Sequence, residues 1–468
     1  MATATSQPSP DTRKPHVLIA GAGLAGLLLG HMLDRQGVSY EIFERSSTVK
    51  PLGAVMSLNP NILPALDQLG LLEDLRSVSY PSRGMTIHKG NKDKLDLLKA
   101  IESDGNNDIL GYEYLLFSRP YLYQIFLDRI APEKIHFNKK IISVSQDDNS
   151  ATITCGDGTT YQGDIIVGAD GTYSGVRQDL YRQMEAENIL PISDTENLNK
   201  GFICLVGTTD PMDPEKYPVL KEKSAMLHQI IGDGNRYVWS GVNVPGNRIS
   251  WNAILTLSAK EEDTIKNAEW GPAANEAMIK EVRDFAMPYG GTLGDFIDAT
   301  PKDTISRVFL EDKVFKTWCH NRIVLIGDAC HKLLPSSGQG AVNAMQDSVV
   351  LANCIYDIAS LSTKDISAAL NEYREQRFDH VVEQYNASNV TAKVIFGQSF
   401  FNRVVRHVAL NFLPNSYVQK NMGKNLAYRP QATFLPQVPK RGTSPVLPQK
   451  PSKRYQEEQE KAKVAQSV

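Results

Sequence analysis

The chain has 468 residues, of which 41% are hydrophobic and 22% charged, with a formal net charge of −3. That length buries a large core and suits roughly two to four domains. The near-neutral balance, without interleaved basic and aromatic residues, argues against nucleic acid as a partner. Five scattered cysteines show no CxxC or Cys/His spacing, so neither a disulfide frame nor a metal site is expected, and a reducing, cytoplasmic setting fits.

In chain order, residues 1–14 are rich in Ser, Thr and Pro and read as a disordered arm. Arg13 and Lys14 precede the uncharged run Val17 to Gly30, which imitates a signal peptide. The run is shorter than the about 20 apolar residues a membrane span needs, and glycines punctuate it, so targeting is rejected. His16 to Ala20 reads as a buried strand, Leu24 to Gln36 as a helix ended by Gly37, and Ser39 to Phe43 as the next strand. This is a βαβ unit and requires a parallel sheet.

Asn61 to Leu69 reads as helical, and Arg119 to Ile130 as a better helix, with Ser118 as its cap and Pro120 in its first turn. Strand-like runs follow at Ile135 to Phe137, Ile141 to Gln146, Ala151 to Cys155 and Asp164 to Gly168. From about Gly201 to Val308 alternating strands surround a helix near Ala274 to Phe285, which marks a separate sheet suited to substrate binding. Arg322 to Ile326 returns as a buried strand, and Ala341 to Ile358 forms a helix with an apolar stripe. Asn371 to Leu413 is mostly helical, and beyond Tyr428 the polar, aperiodic chain reads as a flexible tail.

Three glycine segments carry the chemistry. In the first, Gly21 allows a tight turn, Gly23 lets the backbone approach a pyrophosphate, and Gly26 allows close helix–strand packing. The helix N-terminus favours phosphate there, and Glu44 ends the second strand where a carboxylate can hold a ribose hydroxyl pair. The second runs from Gly168 through Asp170, Gly171 and Ser174 to Arg177; alone it reads as a turn after a strand. In the third, Asp328 follows Gly327 at a strand's carboxyl end, where α/β folds collect ligands. Pro335, Gly338 and Gly340 then let the backbone pass close to a flat ring before the helix at Ala341. Together they describe a cradle for a flavin dinucleotide.

From Val17 to Ile358 these motifs resemble the single-component FAD-dependent monooxygenases, a group that includes salicylate-type aromatic hydroxylases and fungal natural-product relatives. The resemblance implies an α/β fold: a Rossmann-like FAD-binding domain with a GxGxxG parallel sheet, interleaved with a mixed β-sheet substrate domain, plus C-terminal helices. The expected division is 15–190 for the first part of the FAD-binding domain, with a substrate-domain insertion near 75–115. The substrate sheet takes 191–308, the return segment 309–358, a helical region 359–427, and the tail 428–468. It also implies FAD, NAD(P)H as reductant, molecular oxygen activated as a flavin hydroperoxide, and an apolar or aromatic small-molecule substrate, hydroxylated or epoxidised. Gly53 and Ala54 match a segment beside the flavin, and Arg119 matches an arginine near the cofactor. Val342 stands where relatives often carry Asn.

The second GxGxxG of two-fingerprint enzymes and the Trp-x-Trp-x-Ile-Pro run of tryptophan halogenases are both absent. A general base has three candidates, His331, Tyr237 and His228, none preferred. Residues 394–413 place Phe396, Phe400, Phe401, Val404, Val405 and Val408 at helical spacing among Arg403, Arg406 and His407, which reads either as a membrane-surface helix or as a core-facing one. Two further functions stay open at this point: a flavin oxidoreductase without oxygen insertion, such as a prenyl-chain reductase, and a non-catalytic prenyl-binding escort protein.

Overall fold

The computed structural model describes residues 13–48, 55–102, 106–233, 236–258, 261, 272–397, 400–412 and 423–466. Its first layer is a six-stranded sheet ordered Cys319–His320, Ile323–Leu325, Ile165–Gly168, His16–Ala20, Ser39–Phe43 and Ile135–His136. All neighbours are parallel except the outermost pair, Cys319–His320 with Ile323–Leu325. The central strands His16–Ala20, Ile165–Gly168 and Ile323–Leu325 are short apolar runs because both of their faces are covered.

Leu24–Gln36 is helical because it contains no β-branched residue and no proline, and Gly37 stops it in the left-handed region at φ 62. Leu27, Leu28, Leu29 and Leu33 are fully buried on it, each worth about 1.5–3 kcal/mol. Its neighbour is the Gly340–Tyr356 helix, to which it is tied by Ser348 Oγ donating to Ala25 O at 2.8 Å and Gln36 Nε2 donating to Ala352 O at 2.7 Å.

A ten-stranded mixed sheet forms the second layer. It draws strands from Val55–Leu58, Tyr80–Gly90, Leu95–Glu102 and Leu115–Ser118 as well as from the 199–256 region. Period-two alternation gives it two faces. Ile203, Leu205, Ile230, Tyr237, Trp239, Ile249 and Trp251 pack outward against the Pro272–Val282 and Leu293–Asp298 helices. Cys204, Val206, Ile231, Val238 and Ile254 face inward, with Leu334 and Phe396. A small antiparallel sheet, Thr160–Gly163, Ala151–Cys155 and Ile141–Gln146, flanks the first layer.

Several expectations need correction. Of the expected arm, residues 1–12 lie outside the described residues, while Arg13 pairs its guanidinium with the buried Asp164 at 2.6 Å and Lys14 Nζ donates to Gln36 O at 2.6 Å. Ser118 sits at the start of the Arg119–Leu127 helix, yet its side chain makes no cap bond and its oxygen is buried without a partner. The boundary at 308/309 cuts through one strand, Ser306–Val314, which pairs with Asn199–Thr208; the chain re-enters the first sheet at Cys319–His320.

The largest difference lies in the tail. Ala432 and Phe434 join the main core, and Asn353 donates to Gln431 O at 2.9 Å and accepts from Thr433 N at 2.9 Å. Lys453–Gln466 is a helix anchored by Ser452 Oγ on Asp357 at 2.5 Å. A few apolar residues and side-chain amides seated in a preformed groove are enough to order a polar segment, and periodicity cannot register them.

Candidate functional site

The carboxyl ends of His16–Ala20 and Ile165–Gly168 open onto a cavity of about 610 Å3. Its lining includes Gly21, Gly23, Glu44, Arg119, Asp170 and Gly171. Gly21 has φ 100, and a Cβ there would stand 2.6 Å from Ala169 O. A Cβ on Gly26 would stand 2.1 Å from Gly21 O, so the turn and the helix can meet only as glycines. Gly23 differs: its Cβ would meet nothing nearer than 3.7 Å. The open space lies on the ligand side, where the first turn of the Leu24–Gln36 helix begins without a side-chain cap.

Glu44 accepts from Ala22 N at 3.0 Å and from Ser46 N at 2.9 Å, fixing the carboxylate at the rim. Five basic side chains line the cavity, Arg45, Arg119, Lys139, Lys140 and Arg182, against two acids, Glu44 and Asp170. Asp157 and Asp179 already pair with Lys139 and Arg182, and the smaller positive excess that is left still favours an anionic ligand such as a diphosphate. Except for Arg119, sequence reasoning missed these cations; the Lys139-Lys140 pair and Arg45 beside Glu44 were the available signals.

Asp170 works first as a helix cap: Oδ2 accepts from Gly175 N at 2.7 Å and Val176 N at 3.2 Å. Burial pushes its carboxyl up, and Oδ1 is buried without a partner. Arg177 turns away from the cavity and braces the second glycine segment to the third, donating to Thr172 O at 2.8 Å and Ala329 O at 2.7 Å. Both guanidinium amines are spent on carbonyls, so its role is to hold the loop.

Asp328 sits at the end of Ile323–Leu325 as expected, a third exposed and ion-paired to Lys332. Burial alone would raise its carboxyl; Lys332, with His331 and Arg119, holds it below its ordinary value. Gly340 opens the next helix with no atom within 4 Å of a would-be Cβ, and Ala341 packs on the core beside it. Gly53 and Ala54 lie outside the described residues.

Behind the third segment lies a network that motif reading did not find. Asp347 accepts from Gly327 N at 2.8 Å, His331 Nε2 at 2.6 Å and Arg377 Nε at 2.8 Å, and all three side chains are buried. Burial would raise the Asp347 carboxyl, and His331 and Arg377 bring it below its usual range. Arg377 also reaches Gln346 Oε1 at 3.1 Å and Asn343 Oδ1 at 2.9 Å. Cys330, His331 and Asp347 cluster within 4.8 Å. Both Asp347 oxygens are already engaged, and burial holds the Cys330 thiol well above its ordinary value, so the cluster fits an ion network better than a metal.

The three candidate bases are not brought to the site. His331 is committed to Asp347. Tyr237 and His228 point to the outer face of the large sheet, Tyr237 donating to Glu281 at 2.5 Å and His228 packing edge-on to Tyr289.

The chain matches the FAD binding domain family over residues 14–226 and 261–387. It is 29% identical to the FAD-dependent monooxygenase ptmM of Penicillium ochrochloron, covering 83% of this chain and 91% of that one. It is 30% identical to penM of Penicillium crustosum, covering 84% and 81%. The fold matches Klebsiella pneumoniae HpxO, solved with FAD and uric acid, at TM-score 0.72 and 21% identity, over 89% of this chain and 97% of that one. A salicylate hydroxylase substrate complex matches at TM-score 0.64 and 18% identity, over 89% and 96%. The glycine cradle, its basic lining and these full-length likenesses agree: the chain belongs to the FAD-dependent monooxygenases, in the aromatic-hydroxylase-like group that includes the fungal natural-product enzymes.

Proposed function

We propose that this enzyme takes reducing equivalents from NAD(P)H and inserts one atom of molecular oxygen into an apolar, aromatic or terpenoid-like small molecule. The observation that carries the reading is the cradle: two glycines that no other residue could replace, a third facing open space, and a carboxylate at the rim, in a chain whose relatives are FAD-dependent monooxygenases.

Bound FAD supplies the redox chemistry and the activation of oxygen; the chain's residues supply place and environment. Gly21, Gly23 and Gly26 bring backbone N–H groups and the positive helix end to the diphosphate. Glu44 takes the ribose hydroxyls, and Arg119 adds positive charge at the cavity. Asp328 faces the polyol chain, its charge kept by Lys332. Asp170 fixes the loop between them, and Gly340 and Ala341 start a helix whose N-terminus favours negative charge at the ring. Gly53 and Ala54, outside the described residues, keep the role beside the flavin that the resemblance implies. Water is excluded by the inner face of the large sheet, which seals reactive oxygen from solvent.

A second surface belongs to this reading. Phe400–Phe412 is a helix whose Phe400, Phe401, Val404, Val408 and Phe412 are exposed, and whose only buried side chain is Arg406. Within the expected 394–413 segment Phe396 is buried and Leu410 packs on the inner core, so that part is core-facing, while the exposed apolar stripe beside Arg403 and His407 suits an anionic membrane surface. Among the described residues no helix is long and apolar enough to cross a membrane.

The test is direct. Purified protein should take up FAD and show flavin absorbance, oxidise NADPH faster in the presence of an aromatic or terpenoid substrate, and place labelled oxygen from O2 in the product. Substrate turnover without label in the product would make it an oxidoreductase that inserts no oxygen.

A further inference from the structure

On the inner face of the ten-stranded sheet one line crosses four neighbouring strands with polar side chains at three of its positions. Gln229 pairs with Ser240, Ser240 with Asn252, and Asn252 with Val206 across four neighbouring strands. In-register residues project to the same side, and Val206 packs inward with Leu334 and Phe396. The line therefore stands on the face that the third glycine segment and the long Thr363–Phe396 helix cover. The next row in one direction is Ile231, Val238, Ile254 and Cys204. In the other it is Val242, Ser250 and Thr208, where Ser250 Oγ is taken up by Val55 N at 3.0 Å. None of these residues is charged.

Within the strip Asn252 Nδ2 donates to Ser240 Oγ at 2.6 Å. That bond leaves the serine hydroxyl proton and the asparagine carbonyl to meet something else, and Gln229 adds a second amide. Polar groups set into a covered apolar surface are costly unless paired. Gln229 and Asn252 are half-buried, on the face that the proposed function gives to the substrate.

Resting on the monooxygenase reading, we infer that Gln229, Ser240 and Asn252 form the polar recognition strip for the substrate. They select a neutral apolar molecule that carries a hydroxyl or carbonyl group, and exclude carboxylates. The alternating rows grip the hydrocarbon body, while the amide and hydroxyl groups hold its single polar group and so fix which carbon faces the ring. A carboxylate would enter this face with no cation in the three rows on these four strands; the nearest in register, Lys89 and Lys99, stand on the two strands beyond, and Lys89 is paired with Asp233.

The experiment uses FAD-loaded protein and three probes, 2-naphthol, naphthalene and 2-naphthoate, with binding read from the perturbed flavin absorbance. Naphthol should bind roughly three- to tenfold more tightly than naphthalene, the range of one net hydrogen bond, and naphthoate no better than naphthalene. Asn252→Leu and, as the milder variant, Ser240→Ala should bring the naphthol-to-naphthalene ratio close to one. Tyr237→Phe, on the opposite face, should leave the ratio unchanged. Equal binding of naphthol and naphthalene by the parent protein, an unaltered ratio in both strip variants, or tighter binding of naphthoate would each overturn the inference. Flavin absorbance is recorded first, so loss of the cofactor, which would sink the monooxygenase reading itself, is distinguished from loss of selectivity.

Discussion

The first and third glycine segments do similar work by opposite means. The Gly21–Gly26 turn is held by close backbone packing, Gly21 against Ala169 O and Gly26 against Gly21 O at distances a side chain cannot share, with Glu44 accepting from Ala22 N. The Gly327–Gly340 segment is held from behind by a buried ion network that ends in Asp347 and Arg377, residues from two different helices. A turn made by sterics tolerates nothing larger than hydrogen at its contact points, even where, as with Ala169 against Gly21, the contact comes from a distant segment. A turn made by charges depends on distant elements arriving in place, and its weak points are side chains with no place in the motif.

The most damaging change should fall on the second kind. Arg377→Met leaves Asp347 buried with an unbalanced charge and should cost about 3–5 kcal/mol in denaturant unfolding. Joint replacement, Asp347→Leu with Arg377→Met, should be milder than Arg377→Met alone; a double variant worse than that single one would break the comparison. Next comes Gly26→Ala, whose methyl group collides with Gly21 O. It should destabilise by about 1–3 kcal/mol and lower retained FAD in the same preparation.

Gly23→Ala sharpens the contrast, because its Cβ has room. Stability should change by less than about 1 kcal/mol while FAD retention, measured by absorbance, still drops. If Gly23→Ala kept its FAD, the open space would not be the cofactor's.

A smaller effect concerns pH. Burial, with His88 and Arg83, lowers His228 to about 4, and burial with Arg377 lowers His380 to about 3. Each is neutral when folded and protonates more readily when unfolded. Stability should therefore fall as pH drops from 6.5 toward 4, by at most about 1.4 kcal/mol per pH step for each histidine. His228→Gln should flatten that slope in thermal melts taken across the interval. The smallest effect belongs to the exposed helix: Phe400→Ser with Phe401→Ser should leave stability within about 0.5 kcal/mol per site, while reducing sedimentation with anionic vesicles.

Much of the first sheet was legible because it obeys short-range rules. His16–Ala20, Leu24–Gln36 and Ser39–Phe43 fall where periodicity and Gly37 place them. Glu44 and Asp328 stand at strand ends, as their spacing implied. The Asp347–Arg377 pair was not legible, since its members lie 30 residues apart and neither belongs to a motif. The tail hid its docking for a similar reason: Phe434 is one aromatic in a polar stretch, and only the groove beside the Gly340–Tyr356 helix gives it somewhere to go.

The sequence by itself determined the cradle, because close backbone approach admits glycine alone and leaves that requirement printed in the chain. Only the tertiary structure decided which face of the large sheet each residue serves. Tyr237 and Ser240 lie three apart on one strand, yet alternation sends the first to the outer core and the second to the inner face. Which side of a strand is inside depends on what packs against it, and that is settled by elements hundreds of residues away.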